Sequence, residues 1–497
     1  MTSSRLPREP TFLRSARARA VSSRREHLVV GGAAAVVAVG GVLAPTTTGP
    51  ALLLAAVGGT AVVLALVEPA AALVLLLTTA FLRTAIHGQA IGVPLPGLLL
   101  SVAVIGLAVA VARGRLVLPR LGALELVMGL YLLVNVASWL SPHELPVTTL
   151  YGTPPMISSL VAFGVALPFV AYVLGRLGGG DPRVAPLVRW WIVAVTGYSA
   201  LTAIMQFHGP TALVWPRFIV EAPSWPGRAV GVFNQPVANG VLLMVGLVVC
   251  LWLGGQTSIP RWQRWTTHVV ALAAVYGIYL THTRAILLVT GLVLLAAPFV
   301  SRVYRRGALV ILGLAAVAVV VNWTTFTGSN RTAGGVGSTD EIDDRLNMIA
   351  TAVPAIRSEP LLGWGIGRFP AVNTFYHQQW SATTAFRHGY GYAAHETELG
   401  VGVELGLVGL VVWLAVLALL LRRVLAAHRL GTDPGTSGIA LLTVPALIVV
   451  GATVDLRLLD FASTLVLLLA GLAVGPGRPP SPPPMVATER LREVMAP

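Results

Sequence analysis

The chain contains no lysine: every one of its 34 Lys and Arg positions is arginine, set against 20 acids for a net charge of +14. Cysteine is almost absent too. Cys250 stands alone inside an apolar run, so no disulfide can close within the chain and no cysteine-based metal site can be built. Charge of either sign is sparse, at 11% of residues. The arginines are scattered between hydrophobic stretches and form no aromatic-interleaved basic domain, which excludes a nucleic-acid partner. No internal repeat is visible. A lysine-free chain biased to Ala, Val, Gly, Leu and Pro is also what a GC-rich genome would encode.

What is present is hydrocarbon-like sequence. Of 497 residues 55% are hydrophobic, and the mean hydropathy is +0.79. This composition is that of a polytopic membrane protein. Apolar runs mark about fourteen candidate spans, near 28–44, 51–67, 69–82, 97–112, 121–140, 156–175, 190–207, 236–254, 267–280, 285–300, 307–323, 396–421, 437–454 and 460–475. Spans 69–82 and 267–280 are the shortest and are candidates for re-entrant or half helices, so the expected count is about 12–14. The fold expected is an all-α transmembrane bundle. Its parts are a basic tail at 1–27, helices over 28–323, a long loop at 324–395, three further helices over 396–475 and a proline-rich, disordered tail at 476–497.

Arginine placement orients the bundle, because positive charge in short loops is retained on the cytoplasmic side. Arg5, Arg8, Arg14, Arg17, Arg19, Arg24 and Arg25 crowd the N-terminal tail, and alternate loops carry Arg113, Arg115 and Arg120, then Arg176 and Arg183, Arg261 and Arg264, Arg302, Arg305 and Arg306, and Arg422, Arg423 and Arg429. Both termini therefore read as cytoplasmic, in a multi-pass protein of the inner membrane. Three polar segments are left outside: 208–235, the tight turn 281–284 and the loop 324–395. A loop of that last length is usually functional. Within it Ile342, Leu346, Ile349, Val353 and Ile356 recur at helical spacing behind Asp340, Asp343 and Asp344. That pattern predicts an amphipathic helix on the outer membrane surface, or else a helix of a small soluble subdomain.

Four arginines fall on the side that the charge rule disfavours: Arg228 in "GRAVGVFNQPVANG", Arg284 in "THTRAILL", Arg345 in "RLNMIATAVPAI" and Arg387 in "FRHGYGYAAH". Arg284 stands between two apolar spans with only Thr281, His282 and Thr283 beside it, so it is expected to point into an outer cavity. A further polar cluster, His395, Glu396 and Glu398 in "HETELGVGVELGLVG", runs straight into a membrane span. Charge in hydrocarbon costs about 2.5–3.5 kcal/mol per residue on insertion scales, so such clusters mark a bundle interior or a reaction site.

Taken in order over roughly residues 190–415, the segments "GRAVGVFNQPVANG", "THTRAILL", "RLNMIATAVPAIRSEPLLGWGIGRF" and "HETELGVGVELGLVG" resemble the bacterial O-antigen ligase and O-antigen polymerase family of integral membrane glycosyltransferases. The resemblance implies a fold like the C-type membrane glycosyltransferases. It also implies a glycan donor joined through diphosphate to a polyprenyl lipid, and a lipid, glycan or protein acceptor whose hydroxyl attacks the anomeric carbon with inversion. Arg228 and Arg284 align with the family's phosphate-contacting arginines. Guanidinium groups bind phosphate oxygens bidentately and stay charged, so the leaving diphosphate needs no metal and no cofactor is expected. The acids Asp340, Glu341, Asp343 and Asp344 read as a helix start and not as metal ligands. His395, with Gly406 and Gly409 at the family's spacing, aligns with the family's histidine, a general base for the acceptor hydroxyl; the other reading is a helix-capping or interfacial histidine. Glu396 departs from the family's Asn, Ser or Gln.

Further candidates for substrate contact are Arg345, Arg387, His388, Glu398, Glu404 and His282. Tyr376, Tyr390, Tyr392 and Trp380, around His377 and His388, suit sugar stacking or interfacial anchoring. "GWGIGRF" at 363–369 has the glycines of a phosphate loop but no strand before it, which excludes a dinucleotide site. Two alternatives stay open: a polysaccharide polymerase of the same family, and a lipid-linked glycan transporter. The latter would carry inverted repeats and spread its charge toward the bilayer midplane.

Overall fold

The computed structural model describes residues 59–476 except 60, 87–88, 91–92, 148–155, 331–334, 336–339, 381–392 and 432. The described residues form an all-helical bundle: α1 Pro69–Leu82, α2 Leu95–Ala112, α3 Ala123–Leu140, α4 Ile157–Gly178, α5 Val184–His208, α6 Pro236–Gly254, α7 Arg261–Leu280, α8 Arg284–Val300, α9 Arg302–Val321, α10 Asp340–Ser358, α11 Phe369–Trp380, α12 Thr397–Leu430, α13 Pro434–Gly451 and α14 Asp460–Val474. A two-residue antiparallel pairing of Gln89–Ala90 with Val93–Pro94 joins α1 to α2. Among the described residues eight helices are long and apolar enough to cross a membrane, and α1, α8 and α14 are shorter apolar helices. The chain is a multi-pass helical membrane protein. Each expected span from 69 onward coincides with a helix, while 28–44 and most of 51–67 lie outside the described residues. Expected span 267–280 is the second half of α7, whose 20 residues begin at Arg261; at 1.5 Å per residue they reach about 30 Å.

Local chemistry sets where helices start. Pro236 opens α6, where its missing N–H costs nothing, and the Gln235 side chain accepts from the Val237 N–H at 2.7 Å. Asp433 Oδ1 accepts from the Gly435 and Thr436 N–H groups at 3.0 and 3.1 Å and starts α13. α6 is apolar all round and buried along nearly its whole length, so it forms the centre of the bundle. The outermost helix, α9, instead exposes Leu309, Val310, Leu314, Val317, Val320 and Val321, a face suited to lipid and not to water. α4 carries a π-helical stretch at Leu160–Ala166.

The span expected to continue unbroken from 396 is divided at Gly406, whose φ of 64° and ψ of −167° interrupt α12. A break of this kind frees backbone groups of both helical halves, and buried groups must find partners. The chain supplies them from the segment before α11. Trp364 N–H donates to Val403 O at 2.9 Å and Gly365 N–H to Glu404 O at 2.8 Å, while Leu407 N–H donates to Pro360 O at 2.8 Å and Val408 N–H to Leu361 O at 3.3 Å. The glycine-rich stretch is thus laced into the break of α12. It cradles the broken backbone of α12.

α10 matches the expected amphipathic helix, but its packing face is the small and polar one. Asn347, Met348, Thr351, Ala352 and Ala355 are buried, whereas Leu346, Ile349 and Val353 point outward. α11 was not anticipated from sequence. It carries Tyr376, whose ring is buried against Trp364 and whose hydroxyl pairs with Ser358 Oγ at 2.9 Å, so Tyr376 is a packing residue rather than a sugar platform.

Candidate active site

The loop between α5 and α6 carries Arg228, and the turn between α7 and α8 grips it. Arg228 Nε donates to the Thr281 carbonyl at 3.0 Å and Nη2 donates to Thr283 Oγ1 at 2.6 Å. The backbone is tied in parallel: Ala229 N–H donates to Leu280 O at 2.8 Å, and His282 Nδ1 lies 2.8 Å from Gly227 O. His282 is held at φ 46°, a left-handed conformation in which a non-glycine residue is uncommon and which turns its ring edge toward Phe207 and Tyr279. The guanidinium of Arg228 also lies over Trp225, 5.3 Å from the ring centroid. The cation is buried and oriented by three partners.

Arg284 follows directly as the first residue of α8, so two arginines share this corner with the positive end of a helix. Arg345 on α10 lies within electrostatic reach of both Arg284 and Glu396: burial pushes its guanidinium pKa down, Glu396 pushes it back up, and Arg284 depresses it again. Glu396 in turn is held above the ordinary carboxylate range, chiefly by burial, against the opposing pull of Arg345. The structure therefore draws together Arg228, His282, Arg284, Arg345 and Glu396, from segments more than 160 positions apart in sequence.

His395 is half-buried two residues before the start of α12. The helix start is pinned by Thr397, whose Oγ1 donates to the Gly451 and Val454 carbonyls, each 3.1 Å away, and accepts from Leu456 N–H at 3.0 Å. Glu398 is half-buried one residue further on. Arg387 and His388 lie outside the described residues, as do Tyr390 and Tyr392 and the side chains of Asp340, Glu341, Asp343, Asp344, His377 and Trp380. Glu404 occupies a different setting from the other candidates. Its Oε2 accepts from Arg457 Nη1 at 2.7 Å and its Oε1 from the Phe369 N–H at 3.1 Å, so both oxygens are engaged within the protein.

Sequence reading missed the turn after α13. "TVDLRLLD" interrupts two apolar spans with two acids and an arginine, and that interruption was the available signal. Asp455 takes Arg457 in a fork of bonds, Nε at 3.0 and 3.1 Å and Nη2 at 2.7 Å. Asp460 pairs with Arg83 at the end of α1, and Arg83 also lies over the Phe163 ring at 4.5 Å. The neighbouring Thr84 donates to Val232 O, joining this corner to the Arg228 loop. At the other end of the bundle Arg176 pairs with Glu125, and Arg189 lies 3.6 Å from Asp433. These ion pairs gather at helix ends.

With this geometry in hand, comparison with known families is informative. Residues 269–414 match the family model described as O-antigen ligase. This match supports an O-antigen ligase family assignment. A search of curated proteins finds no match. The matched segment holds Arg284, Arg345, His395, Glu404 and the break at Gly406; Arg228 and the Asp455–Arg457 turn lie on either side of it in sequence, and contacts bring both back to it. The match suggests a membrane glycosyltransferase.

Proposed function

We propose that this chain transfers a glycan from a polyprenyl-diphosphate-linked donor to an acceptor hydroxyl at the extracytoplasmic face of the cytoplasmic membrane, with inversion and without a metal. The observation that carries the reading is the convergence of Arg228, Arg284 and Arg345 at one helix-terminal corner, with Glu396 and hence His395 beside them. Departure of a lipid diphosphate places growing negative charge on its bridging oxygen and phosphates. Fixed guanidinium donors stabilise that charge as it develops, and a pre-aimed group such as Arg228 does so without reorganisation. His395 takes the acceptor proton as the new glycosidic bond forms and the lipid diphosphate departs. The outward apolar stripe of α10 suits contact with membrane lipids, beside which a lipid-borne donor would arrive.

A ligase of this family passes a finished chain to its acceptor, and a polymerase joins repeat units that are both lipid-linked. Deleting the gene and sizing the surface glycan separates them. Accumulation of intact lipid-linked chains supports the ligase reading, and shortened chains support the polymerase. An unchanged surface glycan, with purified protein inactive toward a polyprenyl-diphosphate glycan, would overturn both.

A further inference from the structure

We propose that Glu404 and Arg457 are positioning residues, which set the place of His395 without touching substrate; the inference rests on the base assignment above. Arg457 is only 4% exposed and Glu404 only 3%, so neither is offered to a ligand. What they hold is the segment 395–404. At one end of that segment Thr397 is bonded to Gly451, Val454 and Leu456, and at the other Glu404 is bonded to Arg457, so the single turn 451–457 grips both ends. Between them Gly400 packs where an added methyl would meet Arg457 Nη2 at 3.1 Å, Asp455 Oδ2 at 3.5 Å and the Ala394 methyl at 2.9 Å. Ala394, which adjoins His395 in sequence, thus flanks Gly400 together with that ion pair.

Glu404 also reaches the opposite way. Its second carboxylate oxygen holds the first N–H of α11, and its carbonyl holds Gly365 in the laced segment. Through this one residue the turn 451–457, the break in α12 and the start of α11 share a reference point. A base must sit within hydrogen-bond reach of the proton it removes, and a displacement of about 1 Å can cost roughly 100-fold in rate. A buried Asp–Arg–Glu cluster fixed from both sides supplies that precision.

Glu404→Gln, the neutral triple variant Glu404→Gln/Asp455→Asn/Arg457→Met and His395→Ala are to be purified in nanodiscs. Each is assayed with a polyprenyl diphosphate bearing a fluorescent glycan, alongside thermal stability. The single variant should lose roughly 10–100-fold in kcat with the donor KM within about threefold. The triple variant removes all three charges, leaving no buried ion unpaired, and should keep stability while kcat stays low. If the triple variant turns over at the wild-type rate, Glu404 only balances charge and the proposal fails. It also fails if Glu404→Gln turns over normally, or if its donor KM rises in step with the loss, which would make Glu404 a substrate contact. Near-normal transfer by His395→Ala would instead overturn the base assignment; an inactive His395→Ala beside an active Glu404→Gln would overturn the positioning role alone.

Discussion

Arg228 and Thr283, 55 positions apart, meet through a 2.6 Å hydrogen bond from the guanidinium to the threonine hydroxyl, which itself donates to the Thr281 carbonyl that Arg228 Nε also contacts. A loop residue is thus oriented by the turn that delivers the next arginine, Arg284. Removing the hydroxyl alone, in Thr283→Val, keeps both cations but loosens one. Donor affinity should fall severalfold, in line with the roughly 1.5–3 kcal/mol of a hydrogen bond to a charged group less what water restores. Titration with a labelled polyprenyl diphosphate checks this. Unchanged affinity would show that the hydroxyl does not aim Arg228.

The interrupted helix makes a prediction about stability. Gly406 needs a positive φ, and an added methyl would also run into the Leu361 carbonyl; Gly363 faces it at φ 69°, with an added Cβ 2.5 Å from Gly406 N. Gly406→Ala and Gly363→Ala should each cost at least about 1–2 kcal/mol from backbone strain alone, with the clash added. Gly129 in α3 has open space around its Cα, so Gly129→Ala should be neutral or stabilising by up to about 1 kcal/mol. Thermal unfolding of the three variants in detergent decides it, and equal melting would overturn the laced-segment account.

How much of this was legible beforehand follows from which forces act locally. Hydrophobic run length is a local property, so every helix from α1 to α14 except α11 answers to a run or a periodicity seen in sequence. α11 was invisible because "FPAVNTFYHQQW" has weak periodicity and is held by Glu404 and by packing under Tyr376. Unexpected polarity against a charge rule picked out Arg228, Arg284 and Arg345. Arg83, Asp455 and Arg457 escaped because they sit at the ends of apolar spans, where charge is ordinary; only the fold shows that they pair across distant helices. The break at Gly406 was hidden for the same reason. A glycine in an apolar run reads as helix until its tertiary partner, the segment 360–365, is known.

Topology is open to direct test. Glu359 lies exposed just after α10 and Arg113 lies exposed just after α2, at what arginine placement makes opposite faces. In a Cys250→Ala background, Glu359→Cys should react with an impermeant thiol reagent on intact cells, and Arg113→Cys should react only after lysis. The reverse pattern would invert the orientation and move the proposed site to the cytoplasm.

Glu396 gives a pH dependence whose sign is fixed. Burial raises its pKa above the ordinary value of 4.5 despite Arg345, so the ionised form is the disfavoured one in the folded protein. A raised folded pKa contributes stability that is present at low pH and lost as pH climbs through it. Glu396→Gln removes that loss. Its melting temperature relative to wild type should therefore rise as pH increases from about 4.5 toward neutrality and level off above the raised pKa. A difference that stays flat across this window, or grows toward acid, would mean that the carboxylate is stabilised by Arg345 more than it is penalised by burial.

The division of labour among His395, Arg228 and Arg284 follows from their chemical duties. A base acts on the acceptor proton in the transition state, so His395→Ala should leave donor affinity near wild type while transfer falls by roughly 10²–10⁴-fold. The arginines act on the diphosphate in both ground and transition states, so Arg228→Ala and Arg284→Ala should weaken donor binding as well as rate, each by about tenfold or more. Lysine at either position keeps the charge but lacks the planar fork. It should rescue binding only in part, and least at Arg228, whose two nitrogens already divide between Thr281 and Thr283. Donor binding and transfer are to be measured on the same purified proteins, because only the split between them separates holding a phosphate from moving a proton. If His395→Ala transfers at a normal rate while Arg345→Ala is inactive with donor binding intact, the reacting hydroxyl is served from α10 and the base has been placed on the wrong element.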